Sequence, residues 1–291
     1  MSGNDPRPEI RRRRKGLERV ALDLHVHTPA SQDWRGKEVS PADFVASHQQ
    51  ADGGFAEPGR SSDPSLTAWA VLGLAAAGRQ PARAADYLAT APAPTANDVA
   101  LRILALAALG RNTDALATRL EGMRRADGRI GSLVNSTIWG VIALRAAGRP
   151  AGTSVRYLLR AQRPSGGWAW YPRGAADSND TAAAIQALRA AGIGSRSRAI
   201  RRGLSYLRRL QQRHGGFALT PGRAPDAQST AWAIQAFLAA DATPPHGAFR
   251  YLASLRRADG SYRYSKQYAV TPVWVTSQVL PALVRKPFPL G

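Results

Sequence analysis

The chain has 291 residues, enough to bury a substantial core, with no cysteine and 40 Lys and Arg against 20 Asp and Glu, a formal charge of +20. The missing thiols exclude disulfide frameworks, cysteine-ligated zinc and thiol nucleophiles. The basic residues run through the whole chain, and Arg greatly outnumbers Lys, so the charge lacks the clustered footprint of a nucleic-acid binder and nucleic acid is not an expected partner.

Residues 1–40 stand apart from the rest. Met1 to Lys15 is polar and basic, with a run of charge from Arg11 to Lys15, and is expected to be disordered. No sustained apolar core follows it, as a signal peptide would require, and no stretch approaches the ~20 apolar residues of a membrane span. The chain as given therefore reads as cytoplasmic or membrane-peripheral. Next comes Asp23-Leu24-His25-Val26-His27-Thr28-Pro29, whose two histidines would share one side of a strand. This segment resembles the opening strand of PHP-type metal-dependent phosphoesterases, where an H-x-H pair ligates metal. Only His48, His214 and His246 remain elsewhere, too few to complete such a site, so the segment reads as a remnant or a chance match and no metal is expected.

From residue 41 to 285 one pattern recurs: an aromatic followed by Leu or Val, then Gln, then Gly, one residue, and an aromatic. It reads Phe44-Val45, Gln49, Gly53, Phe55, and returns as Tyr157-Leu158, Gln162, Gly166, Trp168 and as Tyr206-Leu207, Gln211, Gly215, Phe217. Tyr251-Leu252, Arg256, Gly260, Tyr262 has Arg for Gln; Leu120, Arg124, Gly128, Ile130 is a worn copy; Tyr87-Leu88 begins one that ends in the Pro-rich run Ala91 to Pro94. Each copy leads into an apolar, Ala-rich segment: Asp63 to Gly78, Asn97 to Gly110, Asn135 to Gly148, Asp177 to Gly192, Asp226 to Asp241, and Thr271 to Val284. The Asp, Asn and Thr at their starts are expected N-caps, and Gly closes four of them.

The unit is thus an amphipathic outer helix, a turn carrying an aromatic plug, and a buried inner helix. Six such hairpins must stack as an open solenoid or close into a ring. Neither end carries a polar capping unit, which favours closure: an all-α fold, an α/α toroid made as a double ring of about six hairpins. Residues 286–291 carry no structural signal and read as a tail.

Arg202-Gly203, Tyr206-Leu207, Gln211, Gly215 and Phe217 resemble the QW repeat of squalene and hopene cyclases, with Phe for the closing Trp; Trp168 restores it in another copy. The resemblance covers about residues 41 to 285 and implies the terpenoid cyclase and prenyltransferase toroid. Asp177-Ser178-Asn179-Asp180-Thr181-Ala182 resembles the D-x-D-D-T-A motif of class II terpenoid cyclases, whose middle Asp protonates an alkene or epoxide. Here Asn179 holds that position, and Asp177 and Asp180 are the candidate acids, each expected to point elsewhere on the helix. Asp63-Pro64-Ser65-Leu66-Thr67-Ala68 and Asp226-Ala227-Gln228-Ser229-Thr230-Ala231 share the frame, so capping explains it equally well.

Trp69, Trp139 and Trp232 each follow the frame's Thr by two residues, and Trp274 is expected at a similar level, giving four indoles on one layer of the inner ring. They are candidate ligand contacts, or core packing between helices. Gln186, Gln235 and Gln278 lie along the same helices and need polar partners or a ligand. Two functions stay open. One is a binding or scaffolding toroid for an isoprenoid or other apolar ligand, its basic faces meeting an anionic membrane surface or a protein partner. The other is a class II cyclase using an unusual acid near Asp180. Neither calls for a cofactor. Asn179, the shared capping frame and the lack of a second helical domain favour the first.

Overall fold

The computed structural model describes residues 38–290, so the Arg11–Lys15 cluster and the His25-Val26-His27 pair lie outside the described residues. The chain divides into two units after Glu38, and the second, Val39–Gly291, is compact.

The second unit holds twelve α-helices among the described residues, paired as outer and inner arms of six hairpins: α1 (Pro41–Ala46) with α2 (Pro64–Ala76), α3 (Arg83–Thr90) with α4 (Ala96–Ala108), α5 (Asp114–Gly122) with α6 (Val134–Ala146), α7 (Ser154–Ala161) with α8 (Ser178–Ala190), α9 (Arg198–Leu210) with α10 (Ala227–Ala239), and α11 (Ala248–Ala253) with α12 (Pro272–Leu283). Each inner helix packs on the next, and α12 returns to pack on α2, so the ring is closed. Burial follows the sequence pattern. Every residue of α6 from Val134 to Leu144 is buried. In α9 only Ile200, Gly203, Leu204, Tyr206, Leu207 and Leu210 are, a stripe at helical spacing that leaves the arginines outside.

The conserved-looking positions of the repeat have distinct mechanical roles. The backbone N–H of each plug residue, Phe55, Ile130, Trp168, Phe217 and Tyr262, donates to the hydroxyl oxygen of an inner-helix threonine, Thr67, Thr137, Thr181, Thr230 or Thr276, at 2.8–3.0 Å. Two plugs extend into short antiparallel pairs, β1 (Trp168–Ala169) with β2 (Ala176–Asp177) and β3 (Phe217–Ala218) with β4 (Pro225–Asp226). Gln162 Nε2 donates both to Gly166 O (2.8 Å) and to Ala199 O (2.9 Å), and Gln211 Nε2 to Gly215 O (3.1 Å) and His246 O (2.9 Å), so the glutamine staples one hairpin to the next. Gly215 (φ +89°) lets the turn touch its neighbour, since a Cβ there would lie 2.3 Å from the Gly247 carbonyl. The second hairpin has no plug. Its Pro-rich turn is held instead by Arg102, which donates to Ala91 O, and by Arg119, which donates to Ala93 O.

Caps agree with expectation at Asp63, Asp177 and Asp226, whose carboxylates accept from the third residue of α2, α8 and α10. They differ at three helices. Thr95, not Asn97, caps α4 in a capping box with Asp98. Asn135 lies inside α6 and turns to the ring interior, while Ser136 bonds the Leu133 backbone. Thr271 is left-handed and makes no cap bond.

The last of these belongs to the seam. Around the ring, inner-helix N–H groups donate to the backbone carbonyl two residues past the neighbouring plug: Asn135 to Trp170, Ser178 to Leu219, Ala227 to Tyr264. Where α12 meets the first hairpin, a side chain replaces that carbonyl. Both Glu57 carboxylate oxygens accept, from Val273 N at 3.0 Å and Trp274 N at 2.8 Å. An anion at a helix N-terminus is doubly favourable. Glu57→Ala is expected to lower stability by about 1–2 kcal/mol, in the range of a lost N-cap, and Glu57→Gln to recover part of it, as read by urea unfolding.

Residues 286–290 of the segment read as a tail pack against the ring. Lys286 N donates to Pro281 O, and Phe288, 5% exposed, enters the ring from the C-terminal ends of the inner helices. An apolar ring of this bore needs something to fill its lower end, and the chain supplies it.

Candidate functional site

A cavity of about 980 Å³ opens at the N-terminal ends of the inner helices. Two layers of side chains shape it. The second residue of α2, α4, α6, α8 and α10 contributes Ser65, Asn97, Asn135, Asn179 and Gln228, and α12 contributes Trp274; all six line the wall. One turn deeper, four residues on, stand Trp69, Leu101, Trp139, Ala183, Trp232 and Gln278. The upper layer is a belt of amides, and the lower one an aromatic floor.

The floor is a cluster of indoles in edge-on and tilted contact. Trp69 and Trp139 have centroids 5.2 Å apart, Trp139 and Trp232 5.1 Å, and Trp69 and Trp232 5.7 Å. Trp274 is not on this layer: it precedes Thr276 by two residues, sits in the belt, and leans to 6.4 Å from Trp69. Phe288 seals the cluster from below, 6.1 Å from Trp69 and 5.8 Å from Trp139. All four indoles line the cavity and also pack on one another. Trp232 Nε1 donates to Gln278 Oε1 at 3.2 Å, so Gln278 is part of the floor.

Gln186 and Gln235 lie below the floor and away from the cavity wall. Gln186 Oε1 accepts the Phe288 backbone N–H at 2.8 Å, and Gln235 Oε1 is buried without a partner. The chain's own tail supplies the polar partner that Gln186 needs.

Asp177 and Asp180, expected to point elsewhere, both face the cavity. Asp180 is 2% exposed, and its Oδ1 accepts from Asn135 Nδ2 at 2.6 Å. Asn135 Oδ1 in turn accepts from Asn97 Nδ2 at 2.8 Å. Asp177 Oδ1 accepts the Asp180 backbone N–H at 2.8 Å as the helix cap. Burial pushes the Asp180 carboxyl well above the usual carboxylate range, and the neighbouring Asp177 charge and a hydrogen bond shared between the two push it further; Asn135 pulls modestly the other way. Burial also raises Asp177, against the hydrogen bonds from Asp180 that lower it. Of the two adjacent buried carboxyls, the more desolvated Asp180 is the one whose neutral form is favoured more strongly. Tyr206 hydroxyl, pushed to about 12 by burial and then by the Asp177 charge, donates to Ala176 O and closes the outer side of the pair.

Asn135 and Asn97 are the residues that the sequence did not single out as functional. Their signal was present: Asn97, Asn135 and Asn179 occupy one register on three successive inner helices.

Residues 134–267 match the model of the prenyltransferase alpha-alpha toroid domain. The fold is an α/α toroid, of the kind that model describes. No curated protein matches the chain significantly. Among solved structures, the toroid is similar to the type II terpene cyclase MstE from Scytonema in its apo form, with 15% identity, a TM-score of 0.66, and 84% of this chain and 95% of that one covered. It is similar to a protein from Actinoplanes (19% identity, TM-score 0.65, 84% and 97% covered). It is also similar to a glycosidase (12% identity, TM-score 0.62, 84% and 94% covered). At these identities the likeness establishes the toroid and nothing about its chemistry.

Proposed function

We propose that the cavity takes up the hydrocarbon chain of an isoprenoid ligand and that Asp180 protonates it, starting a class II cyclisation. The observation that carries this reading is a buried carboxyl group on the wall of a tryptophan-floored cavity, in a setting that keeps it protonated. Protonation moves the Asp180 proton to one carbon of a double bond and leaves positive charge on the other. Neighbouring double bonds close rings onto that cation, and a final proton loss ends the sequence, so the net reaction is an isomerisation. The π faces of Trp69, Trp139 and Trp232 are suited to stabilise the cations, and Asp177, the charged member of the pair, to take back a proton.

Two further points support the reading. Nearly all of the MstE chain is matched by this toroid, and a structure of MstE holds geranylgeranyl dihydroxybenzoate as substrate, so a second helical domain is not a requirement for that class. The glycosidase alternative wants two free, opposed carboxyl groups. Asp98, the candidate across the cavity, is already bound to the Thr95 backbone and hydroxyl.

Asn179, at the position of the usual acid, favours a second reading, in which the cavity binds such a ligand without turnover. Incubation with geranylgeranyl dihydroxybenzoate and with squalene, followed by mass spectrometry, separates the two. A new product of unchanged mass is expected. Binding without product would leave a carrier, and no binding would remove both readings.

A further inference from the structure

We infer that Asn135, backed by Asn97, is the positioning residue for Asp180: the two amides form a one-way relay that fixes which carboxyl oxygen of Asp180 carries the proton. The inference rests on the reading of Asp180 as the acid but is tested without a substrate.

The direction of the relay follows from donor and acceptor chemistry. In the structure Asn135 presents its NH₂ group to Asp180 Oδ1, at 2.6 Å, which leaves that oxygen as the acceptor. That turns the Asn135 oxygen toward α4, where Asn97 must present its own NH₂ group, at 2.8 Å. The Asn97 oxygen is then left buried and without a partner. With Asn135 so placed, turning Asn97 over would set two amide oxygens face to face, so the orphaned oxygen is the lesser penalty. Three consecutive inner helices supply the parts, and Asn135 is 5% exposed, so its side chain has little freedom to do otherwise.

The consequence is chemical. With Oδ1 held by an N–H donor, the proton of Asp180 is confined to Oδ2, the oxygen that Asn135 does not hold. Each amide in the series polarises the next, strengthening the bond at Oδ1. A donor at Oδ1 favours the ionised form, so the relay also makes Asp180 a stronger acid than burial alone would leave it. The other ionisable groups near the pair are few. Asp177 belongs to the same helix cap and Tyr206 adjoins it from α9; Asp98 from α4 and Arg125 from the loop before α6 line the cavity.

The test is a pH titration of the whole chain labelled with ¹³C at its aspartate carboxyls, followed by NMR. In the wild type several buried aspartates titrate above the usual range, and the Asp180 signal is the one missing from Asp180→Asn. Asn135→Leu, similar in volume but without a donor, is expected to move that midpoint upward by at least about one pH unit. Asn97→Leu, which keeps the Asn135 donor but removes its polarising partner, is expected to move it the same way by less. A midpoint unmoved in Asn135→Leu, with only a lower melting temperature, would mean that Asn135 is packing and would overturn the inference. Should the Leu variant fail to fold, Asn135→Ser, whose hydroxyl is too short to reach Oδ1, gives the same reading. An unmoved midpoint leaves the cyclase proposal intact, and absence of turnover leaves the titration result intact, so the two failures are distinguishable.

Discussion

Asp180→Asn abolishes turnover and, at the same time, makes the protein harder to unfold at alkaline pH. The first effect is the loss of a general acid, expected at about 10²–10⁴-fold in the rate of product formation. The second follows from the direction of the Asp180 shift. Because burial raises its folded-state pKa above the unfolded value of 3.8, the folded chain binds the proton more tightly. The resulting stabilisation is full below the unfolded pKa and is lost as pH rises through the raised one. An amide in the same place never ionises, so it escapes that loss. It can still accept from Asn135 through its oxygen and can donate to Asp177 through its nitrogen. Thermal unfolding of the two proteins should therefore nearly coincide at about pH 4 and diverge in favour of the variant at about pH 8, each 1 kcal/mol appearing as roughly 2–4 °C. A variant less stable than the wild type throughout this range would show that Asp180 is ionised and paired in the native state, and would remove the acid from the proposal.

The same residue shows what the sequence could and could not tell. The toroid was legible because its repeat is mechanical: Gln211, Gly215 and Thr230 each make a backbone contact that any hairpin of the ring needs, and such contacts leave fixed spacing in the chain. The closed ring was legible from the lack of polar end units. The site was not, because it depends on which side of a helix faces the axis. Asp180 was discounted as pointing elsewhere, yet the cap at Asp177 sets the rotation of α8 so that both carboxyl groups meet the cavity. Asn135 was taken for a cap because a cap and a cavity residue can hold the same kind of side chain near a helix start. Trp274 was set one layer too deep because Thr276, two residues after it, is the threonine that bonds the last plug, whereas the other three indoles follow theirs. Glu57 had no signal at all, since its role exists only where the first hairpin meets the last.

The tail is the second place where a large effect is expected. Phe288→Ala should lower stability by about 3–5 kcal/mol, the range for removing a buried aromatic ring from a core. For a domain of this size that is a fall of roughly 10 °C or more in melting temperature. Phe288 does more than fill space, because its ring supports Trp69 and Trp139 from beneath while its N–H satisfies Gln186. The alanine variant keeps the backbone N–H, so Gln186 stays paired and the change isolates the ring. With that support gone the indoles can drop toward the tail, and the cavity gains depth where a longer hydrocarbon chain would end. Tryptophan emission should shift to the red, and affinity across a series of prenyl alcohols of increasing length, read by quenching of that emission, should move toward the longer members. A destabilised variant with unchanged emission and unchanged length preference would mean that the four indoles hold the floor by themselves. The tail would then be a plug for the far end of the ring, with no influence on what the cavity accepts.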